Sequence, residues 1–358
     1  MDEIKESILF SALNPQVAVL WAKSNDEQGH SLLGHMLDVA AVAEVILELE
    51  PCATHSRLAG QFGLPVTVVL RWLATLVGLH DIGKAIPGFQ AKWPQGLELA
   101  KTQGLTFSEA SRRSDRHDWA STAILEAWLP VRTGANITWC QQVAEAVGAH
   151  HGYPLQQKEI EKGLATREER VWQQARQVLL DTYWEVLSPT GDIVTDELPL
   201  PAINWLAGLT SIADWIGSNT EWFPSGMHCD DLKAYYAHAK LLAHQALRAI
   251  GWLPFTPLLS APIPLEQQLG LILSAGTSVM PRALQRQGIA LLQKSQGPAL
   301  LLVEAPMGEG KTELAFMAHL YLQRTLGHRG FYLALPTQAT GNALFARAQQ
   351  FITAFTHG

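Results

Sequence analysis

Seven side chains able to hold a metal ion occur in five local groups: His35; His80 and Asp81 inside GLHDIGK; His117 inside RHDWAS; His150 and His151 inside GAHHGYP; and Asp214 inside ADWIGS. Five imidazoles with two carboxylates make a nitrogen-rich set. Such a set suits Mn, Fe, Co or Ni better than Mg, which prefers oxygen. Two divalent ions about 4 Å apart bind a phosphodiester, acidify a water between them and stabilise the leaving oxygen of an in-line displacement. Asp81 is the expected bridging ligand. Lys84 lies three residues after Asp81 and four after His80, so on a helix its ammonium either meets the scissile phosphate or pairs with Asp81. Asp81 and Lys84 are therefore the candidate catalytic residues.

A histidine on an apolar helix face is more often a core residue with a hydrogen-bond partner than a ligand. His30, His55, His228, His238 and His244 are read that way. The His80–Asp81 dipeptide alone would also serve as a helix C-terminal cap. Five groups in this order and these local contexts point instead to a metal centre.

Residues so far apart in sequence need a scaffold to gather them, and the pattern around them is helical. Leu32, Met36, Val39, Val42, Ile46 and Leu49 recur at helical spacing, and the chain behaves alike from residue 1 to about 250. Leu32 and Val39 flank His35 at i−3 and i+4, which turns the imidazole toward the core. Asp214 shares its helical face with Ala207, Thr210, Ser211 and Ser218, small side chains that leave room for an ion. A helix carrying Val143 and Val147 ends at His150, stopped by Gly152 and Pro154, and leaves two imidazoles at an exposed helix end.

Residues 251–264, GWLPFTPLLSAPIP, hold four prolines and read as a linker. The expected boundaries are 1–250 for a mostly α domain, then this linker, then 265–358 for an incomplete α/β domain. In the last stretch PALLLVEAP and GFYLALP are apolar runs of strand length, the first leading into GEGKT and a helical pattern. EAPMGEGKTE, residues 304–313, then has the strand-before, helix-after context of a phosphate-binding loop. Backbone N–H groups around Gly308 and Gly310 would cradle phosphates, Lys311 would reach the β and γ groups, and Thr312 would ligate Mg. Ala305 stands where the general pattern has its first glycine, which gives the A-x-x-G-x-G-K-T form of superfamily 2 helicases. Gln285, within PRALQ, sits where a helicase reads adenine, and LPTQATGNALFAR resembles a helicase motif that contacts the DNA backbone. No acidic DExH or DExD box follows, so ATP hydrolysis is not expected of this chain alone.

Composition sets the outer bounds. The 358 residues are 47% hydrophobic and 16% charged, an ordinary globular balance that excludes disordered and collagen-like chains. A net charge of −7 provides no global field to hold nucleic acid, so any DNA contact must be a local groove. Cys52, Cys140 and Cys229 are too scattered for a disulfide framework or thiolate zinc site, which suits a reducing cytoplasm. MDEIKESILF lacks the features of a secretion signal, and no apolar run is long enough for a membrane span.

Taken together, His35, HDIGK, RHD, GAHHG, ADWIGS, EAPMGEGKTE and LPTQATGNALFAR resemble the CRISPR-associated type I helicase-nucleases, with LDVAAVA and LPTQAT most like subtype I-E. The resemblance covers nearly the whole chain. It implies an all-helical HD nuclease domain followed by the start of a RecA-like helicase domain. It further implies that His35, His80, Asp81, His117, His150, His151 and Asp214 ligate two transition-metal ions near Lys84. Metal-dependent nicking and degradation of single-stranded DNA in antiviral defence would follow, with recruitment by a crRNA-guided surveillance complex. ATP with Mg would drive 3′ to 5′ unwinding in a full-length enzyme, and a phage anti-CRISPR protein is a further expected partner. Two rivals stand beside this reading: an HD phosphohydrolase acting on nucleotides, and a docking module whose metal site is only structural.

Overall fold

The computed structural model describes residues 7–24, 28–295, 297, 299–335 and 338–356, with backbone alone at 338–340, 342 and 343. The chain divides into two compact units. One comprises His55–Leu253 with the chain up to Glu50, and the other comprises Pro51–Thr54 with the chain from Pro254 onward.

The first unit is almost wholly helical. Its principal helices are α1 (Leu32–Glu48), α2 (Val69–Gly78), α3 (His117–Thr133), α4 (Ile137–Gly148), α5 (Arg170–Leu187), α6 (Leu200–Gly217) and α7 (Leu232–Ala249). A two-stranded antiparallel hairpin, β1 (Trp21–Ser24) and β2 (Gly29–Ser31), leads into α1, and its register sets Lys23 opposite His30. Ser31 caps α1 by accepting from the Gly34 N–H, which satisfies one of the donors a helix start leaves unpaired.

α1 is the axis of this unit. Every residue from Leu32 to Leu47 is buried, because α2, α6 and α7 pack around it. Its apolar content therefore surrounds it, the mark of a central helix more than of an amphipathic one. The charges inside it are paired: Glu44 accepts from the Tyr236 hydroxyl and meets Arg71 and Lys240. α2 ends at Gly78 and tightens into a 3-10 turn, Leu79–Lys84, that carries the His80–Asp81 pair and Lys84. α4 ends at Gly148 and tightens likewise into Ala149–His151. The two dipeptides of the site thus sit on tight turns at helix ends.

The second unit contains α8 (Leu265–Ile272), α9 (Ala283–Leu292), α10 (Lys311–Leu326) and α11 (Gln338–Thr356), packed around Phe316, Met317, Leu320 and Phe351. Both runs expected as strands differ from expectation. Residues 299–306 and 330–335 form no strand and have no ladder partner among the described residues, and Pro336 lies outside them. Nor is the first run buried on both faces: Leu301 and Val303 pack on the core, whereas Leu300 and Leu302 are exposed. Apolar composition favours an extended segment, but only lateral hydrogen bonding makes it a strand. The N-terminal MDEIKE and Thr337 of the expected DNA-backbone motif also lie outside the described residues.

Candidate metal centre

All seven expected ligands converge in the first unit. His35, His80, Asp81 and Asp214 form one group and His117, His150 and His151 another, each with ligand atoms within 4.8 Å of one another. Asp81 connects the groups. Its Oδ2 lies 3.0 Å from His35 Nε2 and 3.3 Å from His80 Nε2, while its Oδ1 lies 3.5 Å from His117 Nε2 and 3.9 Å from His150 Nε2. Asp214 Oδ1 closes the first group, 3.5 Å from His35 Nε2 and 3.4 Å from His80 Nε2. In the second group His151 Nε2 meets His117 Nε2 at 3.1 Å.

The adjacent imidazoles at residues 150 and 151 do part company, though not at an exposed helix end. His150 is buried and His151 exposed, because the 3-10 turn folds the first inward against His80, with ring centroids 5.1 Å apart. His150 Nδ1 contacts the Val147 carbonyl at 3.0 Å, so this nitrogen carries the proton and leaves the Nε2 lone pair, 3.9 Å from Asp81 Oδ1, free for a cation. Ser211 donates to the His150 carbonyl and Ser218 donates to Asp214 Oδ1 at 2.7 Å, so of the small residues flanking Asp214 one holds the His150 turn and the other holds the carboxylate.

The chemistry of the set fits divalent ions. Among the described residues the ring nitrogens of His35 and His80 and the Oδ1 of Asp81 are buried with no hydrogen-bond partner, despite their closeness to one another. Buried polar atoms left unpaired cost about 1–3 kcal/mol each, so several of them converging on one point mark a place where a ligand belongs. Proton equilibria agree. Burial, with the Lys23 charge, pushes His35 down, and burial takes His117 to about 4 and His150 to about 3. Burial acts on His80 in the same sense, but the Asp81 charge and contacts with Asp214 and Asp81 outweigh it and hold this ring at about 9. Burial also opposes ionisation of Asp81 and Asp214. For Asp81 the Lys84 and His80 charges reverse that effect, and for Asp214 the His35 and His80 contacts do, so both carboxyls lie well below their usual range. Neutral imidazoles and ionised carboxylates are what a divalent cation needs, so His35, His117, His150, Asp81 and Asp214 are ready for one, and His80 would give up its proton as an ion binds.

Lys84 Nζ lies 2.5 Å from Asp81 Oδ2, so of its two expected roles the ion pair is the one in place. Gly83, between them, must be glycine because a Cβ there would sit 2.0 Å from the His117 carbonyl oxygen. Its N–H donates to Ser121 Oγ, which pins the turn to α3 and brings His117 to Asp81.

Of the histidines read as core residues, only His30 is one. Its Nε2 meets Asp38 at 2.8 Å, and its Nδ1 accepts from the Gly226 N–H. His228 and His238 are exposed, and His55 and His244 lie part-way out, because His55, His238 and His244 sit toward the outer sides of their helices and His228 lies on no helix. One residue escaped notice entirely. Lys23 on β1 is buried at its tip beside the cluster, and a strand lysine gives no sign in sequence of where its tip ends.

The loop expected to bind phosphate lies in the second unit. Gly310 has φ +82, and a side chain there would also strike Gln285, whose amide donates to the Gly310 carbonyl at 3.3 Å. Gln285, buried, accepts from the Arg282 N–H as well. Lys311 Nζ donates to the Ala305 and Pro306 carbonyls of its own loop. Gln285, Gly308, Gly310, Lys311 and Thr312 line one cavity of about 460 Å³.

Residues 21–223 match the family described as "Cas3, HD domain". The CRISPR-associated endonuclease/helicase Cas3 of Thermus thermophilus is 39% identical over 357 residues, which are 95% of this chain and 36% of that protein. A crystal structure of the Thermus thermophilus Cas3 HD domain in the presence of Ni2+ superposes with TM-score 0.52 at 33% identity, covering 66% of this chain and 92% of that one. The T. fusca Cas3–ATP structure superposes with TM-score 0.72 at 25% identity, covering 95% of this chain and 38% of that one. The chain spans about a third of the length of the curated relatives it matches.

Proposed function

We propose, for a chain that belongs to the Cas3 HD-domain family, that its first unit is a metal-dependent phosphodiesterase that nicks and degrades single-stranded DNA in CRISPR defence. The observation that carries this reading is the pair of ligand groups joined through Asp81, with buried imidazole nitrogens that have no other partner. His35, His80, Asp81 and Asp214 would hold one ion, and His117, His150 and His151, with Asp81 between, a second. The Ni2+ present with the Thermus thermophilus HD domain supports a transition metal. Bound ions would supply charge on the phosphoryl oxygens and an acidified water.

The chain's own residues do the rest. His150 keeps its Nε2 available because Val147 holds its other nitrogen, and Ser218 fixes the Asp214 carboxylate. Lys84 sits against Asp81 Oδ2, and its ammonium would be free to meet a phosphate oxygen once Asp81 holds a cation. His151 and His117, toward the solvent side of the set, leave the approach of an extended strand open.

The second unit is proposed as the start of a RecA-like helicase domain, with Gln285, Gly308, Gly310, Lys311 and Thr312 forming an ATP and Mg site. That the T. fusca relative carries ATP supports this. Lys311 would leave the Ala305 and Pro306 carbonyls to reach the phosphates. A crRNA-guided surveillance complex is the proposed recruiter, on the strength of family membership, and an anti-CRISPR protein its proposed antagonist. The domain division at 251–264 belongs to the same reading.

Incubation with circular single-stranded DNA and Mn or Ni tests the nuclease. Linearisation by the wild type, absent in Asp81→Ala, together with two ions per chain, is the expected result. Intact circles, or cleavage unaltered by Asp81→Ala, would sink the reading, and preferential turnover of dNTPs would favour a nucleotide phosphohydrolase.

A further inference from the structure

We infer that Lys23 is a phosphate-contacting residue of the metal centre, an ammonium that meets a non-bridging oxygen of the phosphodiester bound there. The inference rests on the metal-dependent phosphodiesterase reading above and adds to it a residue from outside the HD, HH and D groups.

Three observations carry it. The register of the hairpin sets Lys23 opposite His30, and paired residues on antiparallel strands project to the same face. His30 in turn stands edge-on to His35, ring centroids 6.4 Å apart, so Lys23 is directed to the side on which the ligands lie. The charges that act on it are those of Asp214, Lys84, Asp81 and Asp38, two of them in the cluster itself. Most telling, its Nζ is buried yet has no hydrogen-bond partner among the described residues. A lysine ordinarily extends its tip to water or to a carboxylate. Three N–H donors held out of solvent without an acceptor are an arrangement that a phosphate oxygen completes.

The alternative, that Lys23 only balances the charge of Asp214, is weaker on the same geometry. Lys84 shows what a charge-balancing lysine looks like here, 2.5 Å from its carboxylate. Lys23 makes no such contact among the described residues. Burial draws its pKa down to about 8, which leaves it cationic at neutral pH and able to attract an anion.

The test uses the whole chain loaded with Mn or Ni, with inorganic phosphate as the probe in titration calorimetry and metal content measured in parallel. Lys23→Met keeps the length and the apolar stem. It is expected to weaken phosphate binding by roughly tenfold to a hundredfold, the loss typical of a charged hydrogen bond, with the metal count unchanged. Lys23→Arg, which keeps the charge, is expected to stay within a few-fold of wild type. On single-stranded DNA, KM should rise more than kcat falls. Equal phosphate affinity in wild type and Lys23→Met overturns the inference, as does loss of metal or of the fold in that variant, or absence of phosphate binding to the loaded wild type. A chain that binds metal and phosphate in this Lys23-dependent way but leaves DNA uncut would remove the nuclease reading and leave the phosphate contact standing.

Discussion

At the residue scale the centre is defined by which nitrogen of each imidazole is left free and by what holds each carboxylate. Ser218 orients Asp214 through a single hydrogen bond of 2.7 Å. Ser218→Ala is therefore expected to weaken metal affinity roughly tenfold to a hundredfold, as loss of a ligand's supporting partner typically does, without changing the number of ions bound. Competition titration with a metal chelator measures this. Protons compete for the same lone pairs. His117 and His150, held near 4 and 3 by burial, stay neutral in the fold below pH 6.5 while the unfolded chain takes up their protons. Their contribution to stability is present above 6.5 and declines as pH falls from 6.5 toward 4. The denaturation midpoint of metal-free protein should follow that decline, and His150→Gln should flatten part of it. Saturating Ni should raise the midpoint more as pH rises from neutrality toward 9, where His80 also gives up its proton.

Helix ends, at the next scale, do the assembling. α2 and α4 each finish in a 3-10 turn, and the turns deliver the His80–Asp81 and His150–His151 pairs to the same place beside α1. The approach of the first turn to α3 depends on there being no side chain at Gly83, since a Cβ would lie 2.0 Å from the His117 carbonyl. Gly83→Ala is expected to cost about 1–3 kcal/mol of stability or more and to separate His117 from Asp81. Chemical denaturation checks the first effect. The second would appear as a loss of one bound ion with the other retained, whereas two tightly held ions in a folded Gly83→Ala protein would count against Asp81 as the link between the groups.

For the whole molecule, the candidate metal centre and the proposed phosphate-binding loop belong to separate compact units with separate cores. Lys311→Ala should therefore lower Mg-ATP binding tenfold or more while metal content and single-stranded DNA cleavage in the absence of nucleotide stay as in wild type. Calorimetry beside a cleavage assay reads both. Much of this organisation was legible beforehand. The order of His35, HD, RHD, HH and Asp214 picked out side chains that the fold brings together, and helical spacing identified α1 and its inward-facing histidine, because local periodicity depends only on neighbours in the chain. Other features were not legible. Lys84 had two roles open to it, and only the tertiary structure shows its ammonium resting against Asp81. His150 and His151 looked alike until a 3-10 turn buried one. Lys23 belonged to no motif, since its relation to the cluster runs through a strand register and a turn of unrelated sequence. The two apolar runs of the second unit have strand composition without strand structure over their described residues. In each case the deciding quantity is a contact between residues far apart in the chain, so the sequence by itself determined which side chains could do the chemistry, and the tertiary structure decided which atoms of them face one another.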